Sequence, residues 1–413
     1  MRAGEKKASV GAFLHAGHWP TLLSAFLYFD VSFMVWVLPG VLGVFIAQDF
    51  ALSASHKGVL AALPLLAGAL LRLPMGIAAD RFGPRRVGVV GLASTAVPLL
   101  WGWWGATSVE TVFLVGVLLG IAGASFAVAL PLVSRWYPPH YQGLVLGIAG
   151  AGNSGTIVAA LIAPRLAERF GWQEVFGFAL LPVLATLGVF LLLARESPAH
   201  PSPQPLTAYL AVLRQGDIWW FNLFYMITFG GFVGLASFLT IFFHDQYALS
   251  RIAAGNFTAL CVCAGSCVRP LGGYLADRFG GVRILSYVFG ALGALMFVVG
   301  HLPALPLATL LLFLGMALLG MGNGAVFQLV PQRFQRRIGV ATGVIGATGG
   351  LGGFLLPSLL GVLKDVSGSY GTGFLLFGLA ALSALLVLLV RQRTWQASWV
   401  GQESTPPLTV LED

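Results

Sequence analysis

The sequence predicts an all-α polytopic membrane protein, with twelve transmembrane helices in two pseudo-symmetric six-helix halves. Three observations carry that reading. Hydrophobic residues make up 57% of the 413-residue chain and charged residues only 9%, at a mean hydropathy of +0.87. A soluble domain carries about 25% charged residues, so this composition belongs in lipid. The apolar residues fall into twelve runs near the length of roughly 20 residues that a spanning helix needs. Finally, one pattern occurs twice: Arg72, Asp80 and Arg86 recur as Arg269, Asp277 and Arg283, each pair 197 residues apart.

Residues 1–19 read as a tail. They are polar and basic (Arg2, Lys6, Lys7), and the apolar run that follows is too long for the core of a cleaved signal peptide. Spanning runs then lie near 20–47, 57–79, 87–105, 109–134, 141–164 and 173–194. Arg195 to Pro205 is polar and proline-rich, cannot span, and opens a linker over 195–216. The second block runs 217–243, 253–276, 282–301, 303–330, 338–363 and 371–390, and 391–413 forms a second tail. The halves are therefore 20–194 and 217–390.

With both termini on the cytoplasmic side, 16 of the 23 Lys and Arg fall in cytoplasmic segments, five in the opposite loops and two within the membrane. That asymmetry fixes the expected orientation. It also accounts for the net charge of +8: the basic residues punctuate helix ends and form no nucleic-acid-binding face. Cys261, Cys263 and Cys267 share one apolar run and match no metal-ligand spacing, so no metal is expected. No phosphate-binding loop of the Gly-x-x-x-x-Gly-Lys-Ser/Thr type appears, which argues against an ATP-driven pump. No clustered histidines or acids suggest an enzyme, and no cofactor is expected.

The two cations within the membrane are Arg72 and Arg269, each eight residues before a loop aspartate, about 12 Å along a helix. A guanidinium at this depth costs roughly 3 kcal/mol or more. Asp30 is the one clear acid at comparable depth, and one acid cannot neutralise two arginines. An anion held between them is the expected use, since the guanidinium fork suits a planar oxyanion. Two related halves around an axis along the membrane normal would place that site near the midplane, between the halves.

The loops themselves read Gly76-x-x-x-Asp80-Arg81-Phe-Gly83 and Gly273-x-x-x-Asp277-Arg278-Phe-Gly280. Here the chain resembles the major facilitator superfamily, whose short loop after the second helix carries this pattern, often echoed after the eighth. The acid can cap the next helix or pair with a nearby arginine, and the glycines allow close approach and a turn. Asp80, Arg81, Asp277 and Arg278 are expected to act as conformational latches at an inner gate.

The fifth run reads Gly143-Leu-Val-Leu-Gly147-Ile-Ala-Gly150-Ala-Gly152-Asn153-Ser154-Gly155, and the eleventh carries Gly343, Gly346, Gly349, Gly350, Gly352 and Gly353. Small residues at helical spacing permit close packing or sliding. Beside the arginine pair, these segments resemble the two nitrate motifs of the nitrate/nitrite porter family. That resemblance implies a site in which Arg72 and Arg269 clamp the anion from opposite halves, Asn153 offers an amide donor, Tyr225 a hydroxyl, and Phe126 and Phe229 aromatic walls. Tyr225 and Phe229 lie four apart, on one face of the seventh helix. It also implies a monomer in a bacterial-type cytoplasmic membrane. For each aromatic alone, packing is the ordinary role.

Asp30 has two readings. A buried carboxyl resists ionisation and so suits a coupling proton; equally, it can be a structural partner for an arginine or for backbone donors. The function expected is import of nitrate, with nitrite as a further substrate, by alternating access and proton symport. Nitrate/nitrite exchange is the alternative, as is a porter for cyanate, formate or another small anion. A cation or drug exporter would be expected to carry membrane-depth acids instead.

Overall fold

The computed structural model describes residues 13, 15–138, 141–198, 206–334 and 338–400. Among them, twelve helices are long and apolar enough to cross a membrane: α1 (Trp19–Asp49), α2 (Ala54–Phe82), α3 (Pro84–Trp104), α4 (Val109–Ser134), α5 (Val145–Phe170), α6 (Trp172–Leu193), α7 (Gly216–Tyr247), α8 (Arg251–Phe279), α9 (Gly281–Gly300), α10 (Leu305–Arg333), α11 (Gly339–Ser367) and α12 (Gly371–Trp395). The linker stretch contains a short helix, Leu206–Leu213, and the last helix continues to Val400, so the C-terminal tail begins helical. Arg2, Lys6, Lys7, Arg336, Arg337, the linker residues 199–205 and the tail 401–413 lie outside the described residues.

The internal repeat is visible in local geometry. Ser53 caps α2 by accepting from the His56 amide, and Ser250, 197 residues on, caps α8 by accepting from that of Ala253. Both helices end on a glycine with positive φ, +92° at Gly83 and +91° at Gly280, a conformation that a side chain would strain.

Four helices are interrupted, and the interruptions surround the arginines. Helix α1 steps at Val37 and Leu42, and α4 stops at Gly123 and restarts at Phe126. In α5 a 3₁₀ turn occupies Ala151–Ser154, and in α7 a π-helical turn occupies Met226–Gly230. Such turns leave backbone groups free and are common where function resides.

The halves meet along α2 against α11 and α5 against α8, and the contacts are graded. At one end Asp365 accepts from the amides of Ala54 (3.1 Å) and Ser55 (2.7 Å). Lys57 pairs there with Asp245 at 2.7 Å, Arg251 with Glu168 at 3.3 Å, and Arg165 donates to Asn256 at 2.8 Å. Close glycine packing continues inward: a Cβ on Gly58 would lie 2.5 Å from the Pro357 carbonyl, and one on Gly255 2.5 Å from that of Ala160. Toward the end that carries the Asp80 and Asp277 loops it stops. Nothing would lie within 4 Å of a Cβ on Gly147, Gly339 or Gly343. Among the described residues, the halves are joined at the far end and show no such close packing at the basic end.

Candidate anion site

Arg72 enters from α2 and is 2% exposed. Its Nε donates to the Gly123 carbonyl at 3.1 Å, a group freed because α4 stops there, and Nη1 donates to the Gly346 carbonyl on α11. Its guanidinium carbon lies over three rings, 4.8 Å from Phe229, 5.4 Å from Phe126 and 5.4 Å from Trp36. Nη2 is buried and has no partner. Arg269 enters from α8 in the other half and keeps a buried Nη1 without a partner. A Cβ on Gly150 would sit 3.9 Å from its Cζ. Each arginine thus crosses toward the glycine motif of the opposite half, and the glycines reached, Gly346 and Gly150, are equivalents in the repeat.

The two guanidiniums are close enough to interact with each other and with the buried Tyr225 hydroxyl, which faces Arg269. Tyr225 and Phe229 stack at 5.0 Å and 11°, brought together across the π turn. Two α11 glycines make this possible: a Cβ on Gly349 would lie 2.5 Å from the Tyr225 ring, and one on Gly352 2.2 Å from the Met226 carbonyl. Gly346 sits against Phe126, where a Cβ would lie 3.4 Å from the ring.

Asp30 does not neutralise either arginine. It accepts from the Ser154 hydroxyl at 2.6 Å and from the Gly155 amide, and no ion pair among the described residues includes it. Of its two readings, the arginine partner gives way to donors in the α5 break. Gly152 and Gly155 allow that contact, since a Cβ on Gly155 would lie 1.8 Å from the Asp30 carbonyl and one on Gly152 2.9 Å from its amide.

Asn153 is fully buried, and in the orientation its surroundings satisfy, its amide nitrogen donates to the carbonyls of Gly150 (3.2 Å) and Ala151 (3.3 Å). In this conformation it braces the 3₁₀ turn, and its nitrogen is not free for an anion.

At the basic end Asp80 pairs with Arg135 at 2.5 Å, within its own half, and Arg81 is exposed. Asp277 is exposed with no ion pair among the described residues, and Arg278 lies over its neighbour Phe279 at 5.5 Å. The Asp80–Arg135 pair lies within one half, and no ion pair at this end bridges the two halves among the described residues.

Over residues 24–357 the chain matches the Major Facilitator Superfamily. It is 35% identical over 360 residues to the nitrite extrusion protein of Bacillus subtilis (strain 168), covering 87% of this chain and 90% of that protein. It is 36% identical over 392 residues to the probable nitrate/nitrite antiporter NarK1 of Thermus thermophilus, covering 87% and 88%. The chain belongs to the nitrate/nitrite porter family of that superfamily. It is a transporter and not an enzyme. Its fold is also similar to that of a bacterial homologue of the human lysosomal transporter Spinster, in an inward-facing and unoccupied conformation, with a TM-score of 0.66 at 17% identity over 98% of this chain and 100% of that one.

The candidate site includes two residues that sequence reasoning missed. Trp36 donates to the Pro64 carbonyl at 2.6 Å and fills the space left by Gly68 and Gly123. Phe327 of α10 lies 4.9 Å from Tyr225 and 6.2 Å from Phe126, joining the two walls. Neither stands out among 11 tryptophans and 30 phenylalanines; for Trp36, Gly68 and Gly123 were the available signal.

Proposed function

We propose that this porter carries nitrate, and nitrite as a second substrate, across a bacterial-type cytoplasmic membrane by alternating access, as a monomer with both termini in the cytoplasm. One observation carries the reading. Unpartnered guanidinium N–H groups from two halves converge with a phenol hydroxyl and aromatic faces, with no acid among them. A planar oxyanion accepts from such donors in its own plane and offers its faces to the rings. Glycine at 346, 349 and 352, and at 150, 152 and 155, lets α11 and α5 move against their neighbours as the halves rock. Asp80, Arg81, Asp277 and Arg278 act at the basic, cytoplasmic end.

On coupling, exchange of nitrate for nitrite is the reading we adopt. Without an anion the pocket holds two cations that repel each other, so reorientation is favoured with an anion aboard. Proton symport through Asp30 is the second reading, favoured by a membrane-depth carboxyl that no cation neutralises among the described residues. Proteoliposomes loaded with nitrite or left empty, with and without a proton gradient, separate the two. Exchange requires labelled-nitrate uptake that depends on internal nitrite and ignores the gradient. Uptake into empty vesicles that follows the gradient and is lost in Asp30→Asn establishes symport. No uptake of nitrate or nitrite under any condition sinks both.

A further inference from the structure

The internal repeat gives Arg72 a backbone partner and leaves Arg269 beside an unused side chain. Helices α4 and α10 correspond at a spacing of 200 residues: Gly120 matches Gly320, and Pro131 matches Pro331. The packing agrees. A Cβ on Gly120 would run into Ala67 and Gly68 of α2, and one on Gly320 into Gly265 of α8, the residue 197 after Gly68. At this spacing the counterpart of Gly123 is Asn323.

In the first half, the break in α4 releases the Gly123 carbonyl to accept from Arg72. Trp36 fills the space beside that glycine, and its ring lies against the guanidinium. In the second half both arrangements change. Helix α10 is unbroken, so the Asn323 backbone carbonyl stays within the helix. Phe232 stands where Trp36 does, since a Cβ on Gly68 would meet Trp36 and one on Gly265 would meet Phe232. The smaller ring leaves room for a side chain, and Asn323 supplies it. Asn323 is fully buried, and neither its Oδ1 nor its Nδ2 has a hydrogen-bond partner among the described residues. Its neighbour Gly324 lies against the backbone of Arg269, where a Cβ would be 2.5 Å from the carbonyl. Phe327, one turn along the same face of α10, forms the wall against Tyr225 at 4.9 Å. The carboxamide therefore belongs to the layer of Arg269, whose buried Nη1 is also without a partner. A buried amide with both atoms unpaired is destabilising, and its place beside a free guanidinium donor points to a use.

We propose that Asn323 is the positioning residue for Arg269. In the anion-bound pocket its Oδ1 accepts from the free Nη1 of Arg269, as the Gly123 carbonyl accepts from Arg72, and the remaining N–H groups of Arg269 are aimed at the anion. This rests on the reading of the pocket as a nitrate and nitrite site. An amide suits the task because it accepts a hydrogen bond without bearing charge. A carboxylate in its place would cancel the cation that the anion needs.

The test measures nitrate binding and thermal unfolding of the purified full chain. Asn323→Ala is expected to weaken nitrate binding about tenfold while the melting temperature holds or rises, since the empty protein loses no hydrogen bond. In an Arg72→Lys background the same substitution is expected to cost about a further tenfold, whereas in an Arg269→Lys background it adds less than about twofold. Asn323→Asp keeps the shape and is expected to weaken binding roughly a hundredfold by pairing with Arg269. Unchanged affinity in either single variant overturns the proposal. So does a full tenfold loss on top of Arg269→Lys, or a melting temperature of Asn323→Ala that falls with the affinity, either of which makes Asn323 a packing residue. A parent chain that binds neither nitrate nor nitrite overturns the reading of the pocket itself.

Discussion

Arg72 and Arg269 are equivalent in sequence and unequal in the fold. Arg72 is buried, gives two of its donor groups to carbonyls on α4 and α11, and lies over three rings. Arg269 is partly exposed, lies near the equivalent glycine, where an added Cβ would be 3.9 Å from its Cζ, and keeps a buried donor free. The difference follows from the helix breaks. The stop in α4 frees the Gly123 carbonyl for Arg72, whereas α10, the matching helix of the second half, runs unbroken from Leu305 to Arg333. Arg72 thus bonds the two halves together, whereas among the described residues Arg269 makes no hydrogen bond to a backbone carbonyl.

The sharpest way to break this contrast is to replace each with lysine. Both Arg72→Lys and Arg269→Lys are expected to weaken nitrate binding about a hundredfold, since a point charge cannot reproduce two charge-assisted hydrogen bonds of roughly 1.5–3 kcal/mol each. Only Arg72→Lys should also lower stability, by about 1–3 kcal/mol, because buried carbonyls lose their donor. Equilibrium binding and thermal unfolding decide it; equal destabilisation by both variants ends the distinction.

The contrast between closely and loosely packed surfaces comes next. Gly58→Ala would place a methyl 2.5 Å from the Pro357 carbonyl across the joined halves and should cost about 1–3 kcal/mol by overpacking. Gly147→Ala meets open space and should be neutral or stabilising by up to about 1 kcal/mol from helix propensity. Thermal unfolding of the pair checks both signs.

Smaller effects are expected around Arg269. Tyr225→Phe removes a hydroxyl that faces Arg269 and has no backbone partner, so stability should hold while nitrate affinity falls about fivefold, the worth of one hydrogen bond near 1 kcal/mol. A titration showing unchanged affinity would remove Tyr225 from the ligand shell. The smallest effect is expected for Asp30→Asn: the amide oxygen can still accept from Ser154 and Gly155, so nitrite-driven nitrate uptake should stay within about twofold of the parent. A large loss of exchange moves Asp30 into the transport step.

The paired cations were legible from sequence because charge at membrane depth is costly and stands out. Tyr225 and Phe229 were legible only through the company they keep, and they meet across a π turn that no residue pattern announces. Asn153 shows the limit in the other direction: an amide in the right motif spends its nitrogen on the turn that holds it. Asp30 was recognisable as unusual, but which partner it takes depends on a 3₁₀ turn more than a hundred residues away in the chain.

By itself, the sequence determined the twelve helices, the twofold repeat, the turn glycines of the two loops, and the excess of membrane-depth cations over acids. These are properties of composition, period and single residues. The tertiary structure alone decided which carbonyls the helix breaks release, which rings close over Arg72, that Asp30 faces Ser154, and at which end the halves pack closely. Those outcomes depend on how helices from distant parts of the chain pack side by side, and hydrophobic runs in lipid do not encode which faces meet.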